Sequence, residues 1–102
     1  MDFYEKVYLV IARIPEGKVT TYGAIARHLG IGGSARMVGW ALNKTLEDGV
    51  TELPCHRVVN RAGELTGKQW FGGDIMEQLL RSEGIAFDDL GRVDMARHFW
   101  EP

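Results

Sequence analysis

A single cysteine, Cys55, stands between Pro54 and His56. A thiol attacks only as its thiolate, so a reactive cysteine needs a base within reach, and an imidazole suits that role. Isolated cysteines more often serve as small buried hydrophobes. Successive side chains of a strand point to opposite faces, so Cys55 and His56 can cooperate only within a turn or through a water molecule. Pro54 restricts the backbone just before the thiol. Metal binding is a poor rival, because His28, His56, His98 and Cys55 show none of the spacings that ligate zinc. No metal is expected.

The elements that must hold this pair are few. Phe3, Val7, Val10, Ile11 and Ile14 recur at helical spacing, with Asp2 as N-cap and Pro15-Glu16-Gly17 as the stop. Lys18-Val19-Thr20 reads as a short extended piece. Thr20 or Thr21 caps a second helix through Leu29, which Gly30, Gly32 and Gly33 break. Ser34 caps a third helix from Ala35 to about Lys44, with Val38, Ala41 and Leu42 inward. After a polar loop, Leu53 to Val59 is apolar apart from its Pro-Cys-His-Arg insertion, and Arg61-Ala62-Gly63-Glu64 reads as a turn before another short strand. Asp74 to Glu83 is predicted helical, with Ile75, Leu79 and Leu80 inward and Gly84 ending it. The segment from Ile85 to Pro102 reads as mostly polar, closing on Phe99-Trp100. Helix, turn, helix and then hairpin-like pieces predict a mostly α domain with a small β wing: a single winged helix-turn-helix over residues 1–102, with the helix at Ser34 as recognition element.

Bulk properties narrow the classes. A chain of 102 residues supports one modest core. Its 45% hydrophobic and 25% charged residues are those of an ordinary soluble protein. No apolar run is long enough to span a membrane, and Met1-Asp2-Phe3-Tyr4-Glu5 lacks the basic region of a signal peptide. One cysteine allows no internal disulfide, so a monomer in the reducing cytoplasm is expected. The net charge of −2 argues against a polycation that coats nucleic acid, but it is uneven: +3 over residues 1–46 and −4 over residues 74–102. Lys18, Arg27, Arg36 and Lys44 lie in an acid-free span from Gly17 to Thr45, a local basic face able to attract phosphate or simply a solvated helix surface.

Pro54-Cys55-His56-Arg57-Val58-Val59 resembles the signature of the O(6)-alkylguanine-DNA alkyltransferase family, whose members take a damage-derived alkyl group onto that cysteine. Other family features stand in order: Ile14-Pro15-x-Gly17-x-Val19-x-Thr21-Tyr22-Gly23-x-Ile25-Ala26, Ala35-Arg36-x-Val38-Gly39-x-Ala41-Leu42, Gly72-Gly73 and Leu79-Leu80-x-x-Glu83-Gly84. The resemblance spans most of residues 3–84 and is specific in combination.

The resemblance implies a double-stranded DNA partner containing O(6)-alkylguanine. The recognition helix, beginning at Ser34, would enter the minor groove, with Ala35 and Gly39 small enough for close approach. Arg36 would fill the gap left by the extruded base, and Tyr22 would press on the target's 3′ phosphate; unstacking a base costs a few kcal/mol, as base flipping generally does. Glu83 would hold His56, His56 would take the Cys55 proton through water, and Arg57 would brace the structure by pairing with a carboxylate. The alkyl transfer is not reversed, so the protein would act once, and no cofactor would be needed. Two features depart from the transferase pattern: a Gly-Tyr pair is missing, and an asparagine usual between recognition helix and signature has only Asn43 near it, out of register. A Gly-Tyr pair usual after the signature is replaced by Thr66-Gly67-Lys68-Gln69-Trp70-Phe71-Gly72-Gly73, which implies a differently lined pocket around Pro54 and Trp70. The ending Phe99-Trp100-Glu101-Pro102 resembles alkyltransferase-like proteins, which bind the lesion without repairing it and pass it to nucleotide excision repair proteins. Transferase and sensor are thus both open, and a winged-helix regulator reading the major groove is a third reading, one that leaves Cys55, His56 and Glu83 without a role.

Overall fold

Asp2 opens the first helix as expected: its carboxylate accepts the Glu5 amide at 2.8 Å, and α1 runs Phe3–Arg13 with Val7, Val10 and Ile11 buried. The computed structural model describes residues 1–30, 34–48, 52–71 and 74–102, apart from the side chains of Gln69 and Trp70. The expected breakers Gly32 and Gly33, and the Gly72-Gly73 pair, lie outside them. Beyond α1 come β1 (Thr20–Thr21), α2 (Tyr22–Leu29), α3 (Ala35–Glu47), a 3-10 turn (Cys55–Arg57), β2 (Val58–Val59), a second 3-10 turn (Lys68–Phe71), α4 (Ile75–Ser82) and α5 (Met95–His98).

Small hydroxyl residues fix the starts of the two central helices. Thr21 accepts the Ala24 amide at 3.0 Å and Ser34 accepts the Met37 amide at 3.3 Å, each capping its helix. Helix α2 ends at Gly30, whose φ of 63° gives the left-handed cap that Gly tolerates best. Helix α3 continues a turn beyond the expected Lys44. Thr45 is buried there with its hydroxyl donating to the Ala41 carbonyl, and Lys44 pairs with Asp48 at 3.5 Å.

The hairpin-like pieces expected after α3 are instead a parallel pair: Thr20 aligns with Val58 and Thr21 with Val59. The two strands lie far apart in sequence, and helices α2 and α3 form the crossover that parallel pairing requires. Alternation along β2 then feeds two cores. Val58 joins the cluster of α1, α2 and α3 that contains Cys55, whereas Val59 joins Val19, Leu65, Met76, Leu80, Ile85 and Val93. Phe71 packs against both clusters.

Helix α4 corrects another expectation. Leu80 is inward, but its buried companion is Met76, while Ile75 and Leu79 are 47% and 38% exposed. Pairs 75/79 and 76/80 have the same one-turn spacing, so periodicity alone could not choose between them. Packing did, because Met76 and Leu80 reach Leu65 and Phe71.

The final segment is more structured than its polar composition suggests. Phe99 bridges Val19, and Val93 and Ile85 are buried. His98 is buried too, with Nε2 accepting the Ala86 amide at 2.9 Å and Nδ1 3.1 Å from the Gly17 carbonyl oxygen.

Candidate functional site

The Pro-Cys-His-Arg motif folds as a tight turn. The Cys55 amide donates to the Leu53 carbonyl at 2.8 Å, Arg57 to Pro54 at 3.0 Å, and Val58 to Cys55. A 3-10 turn rotates each residue about 120° from the last, so three neighbours diverge to three surroundings. Cys55 enters the core at 2% exposed, while His56 and Arg57 reach the end of α4. This meets the condition that a sequence-adjacent thiol and imidazole share a turn.

Glu83, just after α4, receives both. Its Oε2 lies 2.9 Å from His56 Nε2 and accepts Arg57 Nη2 at 2.6 Å, while Oε1 accepts Arg57 Nε at 2.9 Å. Arg57 Nη1 also donates to the Ile14 carbonyl at 2.8 Å, so one guanidinium joins the ends of α1 and α4 to the Cys55 turn. That is the bracing role expected of Arg57, on the same carboxylate that holds His56. Burial pushes the Glu83 carboxyl up, but hydrogen bonds and charge from Arg57 and His56 outweigh it and hold the group below the usual carboxylate range. The hydrogen bonds that Arg57 donates to Glu83 raise its guanidinium against its own desolvation. Glu83 therefore stays ionised and Arg57 charged at neutral pH.

A carboxylate accepts, so Nε2 of His56 carries the proton and Nδ1 of the neutral ring is left as an acceptor. Among the described residues Nδ1 has no hydrogen-bond partner, and the Cys55 sulfur is in no disulfide. Burial pushes the Cys55 thiol up to about 11, against a small opposing effect of its own backbone. The site holds a protonated thiol one residue before a ring that Glu83 engages through Nε2.

The other predicted residues occupy a separate but adjoining surface. Ala35 and Arg36 are exposed on the first turn of α3, beside the Ser34 cap. A Cβ on Gly39 would meet nothing within 4 Å, which leaves that stretch of α3 open to approach. Tyr22, first residue of α2, packs against the cluster containing Cys55, and its hydroxyl accepts the Thr66 hydroxyl at 3.3 Å. Burial, only partly offset by that hydrogen bond, raises the Tyr22 phenol above its ordinary value. Pro54 precedes the turn, but the Trp70 side chain lies outside the described residues.

Several partners escaped sequence reasoning. Thr66, which holds Tyr22, carried no local signal. Asn60 did: its Oδ1 accepts the Ala62 and Glu64 amides at 3.0 and 2.8 Å, fixing the turn after β2, and Asn with Gly three residues on is a turn pattern. Gly63 completes that turn with φ of 84°, and a Cβ there would stand 2.6 Å from the Val93 carbonyl oxygen. Among the described residues no group of three or more His, Cys, Asp or Glu is placed to hold a metal ion, and no helix is long and apolar enough to cross a membrane.

Comparison with known proteins adds three relatives and one family. Residues 2–85 match the 6-O-methylguanine DNA methyltransferase DNA binding domain. A DNA base-flipping protein of Vibrio parahaemolyticus is 39% identical over 99% of this chain and 98% of its own. A methylated-DNA–protein-cysteine methyltransferase of Methanosarcina acetivorans is 40% identical over 81% of this chain but 51% of its own. The crystal structure of Schizosaccharomyces pombe Atl1 in complex with damaged DNA containing O6-carboxymethylguanine aligns with TM-score 0.79 and 37% identity, covering 98% of this chain and 95% of that one.

Proposed function

The chain belongs to the 6-O-methylguanine DNA methyltransferase family, and from that membership we propose that it turns O(6)-alkylguanine out of duplex DNA and accepts the alkyl group on Cys55. In this reading α2 and α3 act as a winged helix-turn-helix, with the turn after β2 as wing. Helix α3 enters the minor groove along Ala35 and Gly39, Arg36 fills the vacated stack, Tyr22 bears on the phosphate, and amides near Ser34 meet the backbone.

The observation that carries the chemistry is the His56–Glu83 contact of 2.9 Å through Nε2. It fixes the ring so that Nδ1 is the acceptor, and Nδ1 takes the Cys55 proton through a water molecule. The thiolate sulfur attacks the alkyl carbon in line, a carbon–sulfur bond forms as the carbon–oxygen bond breaks, and guanine leaves with the electron pair and recovers a proton. Ionised Glu83 stabilises the transient imidazolium. The thioether is stable, so each molecule reacts once and no cofactor takes part. The reactive thiol suits a monomer in the reducing cytoplasm.

A second reading, a sensor that binds the lesion and hands it to nucleotide excision repair proteins, is favoured by one specific fact: burial keeps the Cys55 thiol protonated, up to about 11. The names of the base-flipping and Atl1 relatives point the same way. The mass of intact protein after incubation with a duplex containing O(6)-methylguanine tests both. One added methyl group, mapped to Cys55, is the outcome expected of a transferase; full lesion occupancy without a mass change makes the protein a sensor.

A further inference from the structure

A groove of ≈ 610 Å³ runs beside Tyr22, outside the Cys55–His56–Glu83 cluster. Tyr22 and Ala35 from the helical pair and Met95 and Phe99 from the final segment line it, together with Arg27 and Arg61 and with no acidic residue among its described lining. The wall from α5 lies beyond residue 85, where the match to the family's DNA binding domain ends, so this side of the groove is supplied by the final segment.

Arg27 shows how the groove came by its charge. A Cβ on Gly23 would lie 3.3 Å from Arg27 Nη1, so the guanidinium folds back along α2 over its first turn, and a larger residue at 23 would crowd it. That carries a cation toward the positive end of its own helix, an unfavourable place unless an anion joins it. Neither Arg27 nor Arg61 has a carboxylate within ion-pair distance among the described residues, whereas Arg57, Arg81 and Arg92 each have one. Two unpaired guanidinium groups thus flank a channel with an apolar wall, the pattern of charge and surface that complements a sugar–phosphate chain.

We infer that this groove binds the backbone of the DNA strand carrying the flipped nucleotide, with Arg27 and Arg61 each neutralising a phosphate and Met95 and Phe99 covering deoxyribose carbons. The inference rests on the proposed DNA-binding function and gives the final segment a part in it. The groove borders Tyr22 and Ala35, so a strand lying in it continues directly onto the face offered by α3.

The test is the salt dependence of affinity for undamaged duplex and for duplex containing O(6)-methylguanine, followed by fluorescence anisotropy. Arg27→Gln and Arg61→Gln should each make the log–log slope shallower by about 0.9, and together by about 1.8, on both duplexes. Both side chains are exposed, so the variants should keep the wild-type melting temperature. Ala96→Glu, which puts an acid into the groove from exposed α5 surface, should weaken both duplexes alike. Arg81→Gln, whose arginine pairs with Glu77 on α4, should leave the slope unchanged. Wild-type slopes in the Arg27 and Arg61 variants would overturn the inference, and so would wild-type binding by Ala96→Glu. Failure of the wild-type protein to prefer the damaged duplex would instead overturn lesion recognition, leaving the undamaged-duplex slopes to decide the groove.

Discussion

His56 meets Glu83 through Nε2 at 2.9 Å, on a carboxylate oxygen that also accepts from Arg57. One acid therefore sets the imidazole's tautomer and ties it to a guanidinium that reaches Ile14. Glu83→Gln should lower stability by about 2–3 kcal/mol, since it leaves a largely buried Arg57 without its charged partner. Urea denaturation checks this, and the same variant should lose at least about tenfold in single-turnover methyl transfer while still binding the lesion.

The same carboxyl governs acid stability. Its folded pKa lies below the unfolded value of about 4.3, so its contribution is present above that pH and is lost as pH falls through the folded value. The stability profile of Glu83→Gln should be flatter than wild type on the acid side. Parallel acid limbs in the two proteins would remove Glu83 from the explanation.

Cys55 gives a prediction on the alkaline side. A thiol near 11 instead of 9.0 holds about a hundredfold less thiolate at neutral pH. In DNA-free protein, alkylation of Cys55 by iodoacetamide should be slow and should climb about tenfold per pH unit until the protein unfolds or pH nears 10. A plateau below pH 8 would show that the imidazole already activates the thiol without DNA. Because the folded pKa is the higher one, stability should also fall as pH rises above the unfolded thiol value.

Gly39 separates folding from binding. A methyl group there meets nothing within 4 Å in the free protein, so Gly39→Ala should stabilise α3 by about 0.5–1 kcal/mol. The added methyl stands on the surface assigned to the minor groove, and duplex affinity should fall several-fold as the melting temperature rises. Unchanged affinity would move the DNA to another face.

Arg36→Ala should weaken binding to lesion-containing duplex by about tenfold and to the same single strand much less, because an unpaired strand has no stack to refill. Equal losses on both would reduce Arg36 to a phosphate contact.

Local chemistry was legible wherever one residue type decides it. Asp2, Thr21 and Ser34 announced their helices by capping, Gly30 announced an end, and the pairing of His56 with Glu83, expected from the family resemblance, is present at 2.9 Å. Choices made by distant packing were hidden. Two-residue strands have no periodicity to read, so the parallel pairing of Thr20 with Val58 had no signal. Ile75 and Met76 are both apolar, and packing against the neighbouring Leu65 and Phe71 decides which is covered. The groove wall of Met95 and Phe99 is likewise invisible until α5 folds back across the chain.

That return has a kinetic side. Val19 donates to the His98 carbonyl at 3.0 Å and accepts the Trp100 amide at 2.7 Å. Closing a loop of about 80 residues costs roughly 4 kcal/mol of chain entropy before either bond repays it. A nascent chain on the ribosome can form α1, α2 and α3 early from local contacts, but the residue leading into β1 waits for His98 and Trp100 to leave the exit tunnel. Until then Val19 has an unpaired backbone beside the Thr21 cap, and the strand that seats Tyr22 stays open on one edge. The edge beside Tyr22 is therefore completed late, when His98 and Trp100 close on Val19.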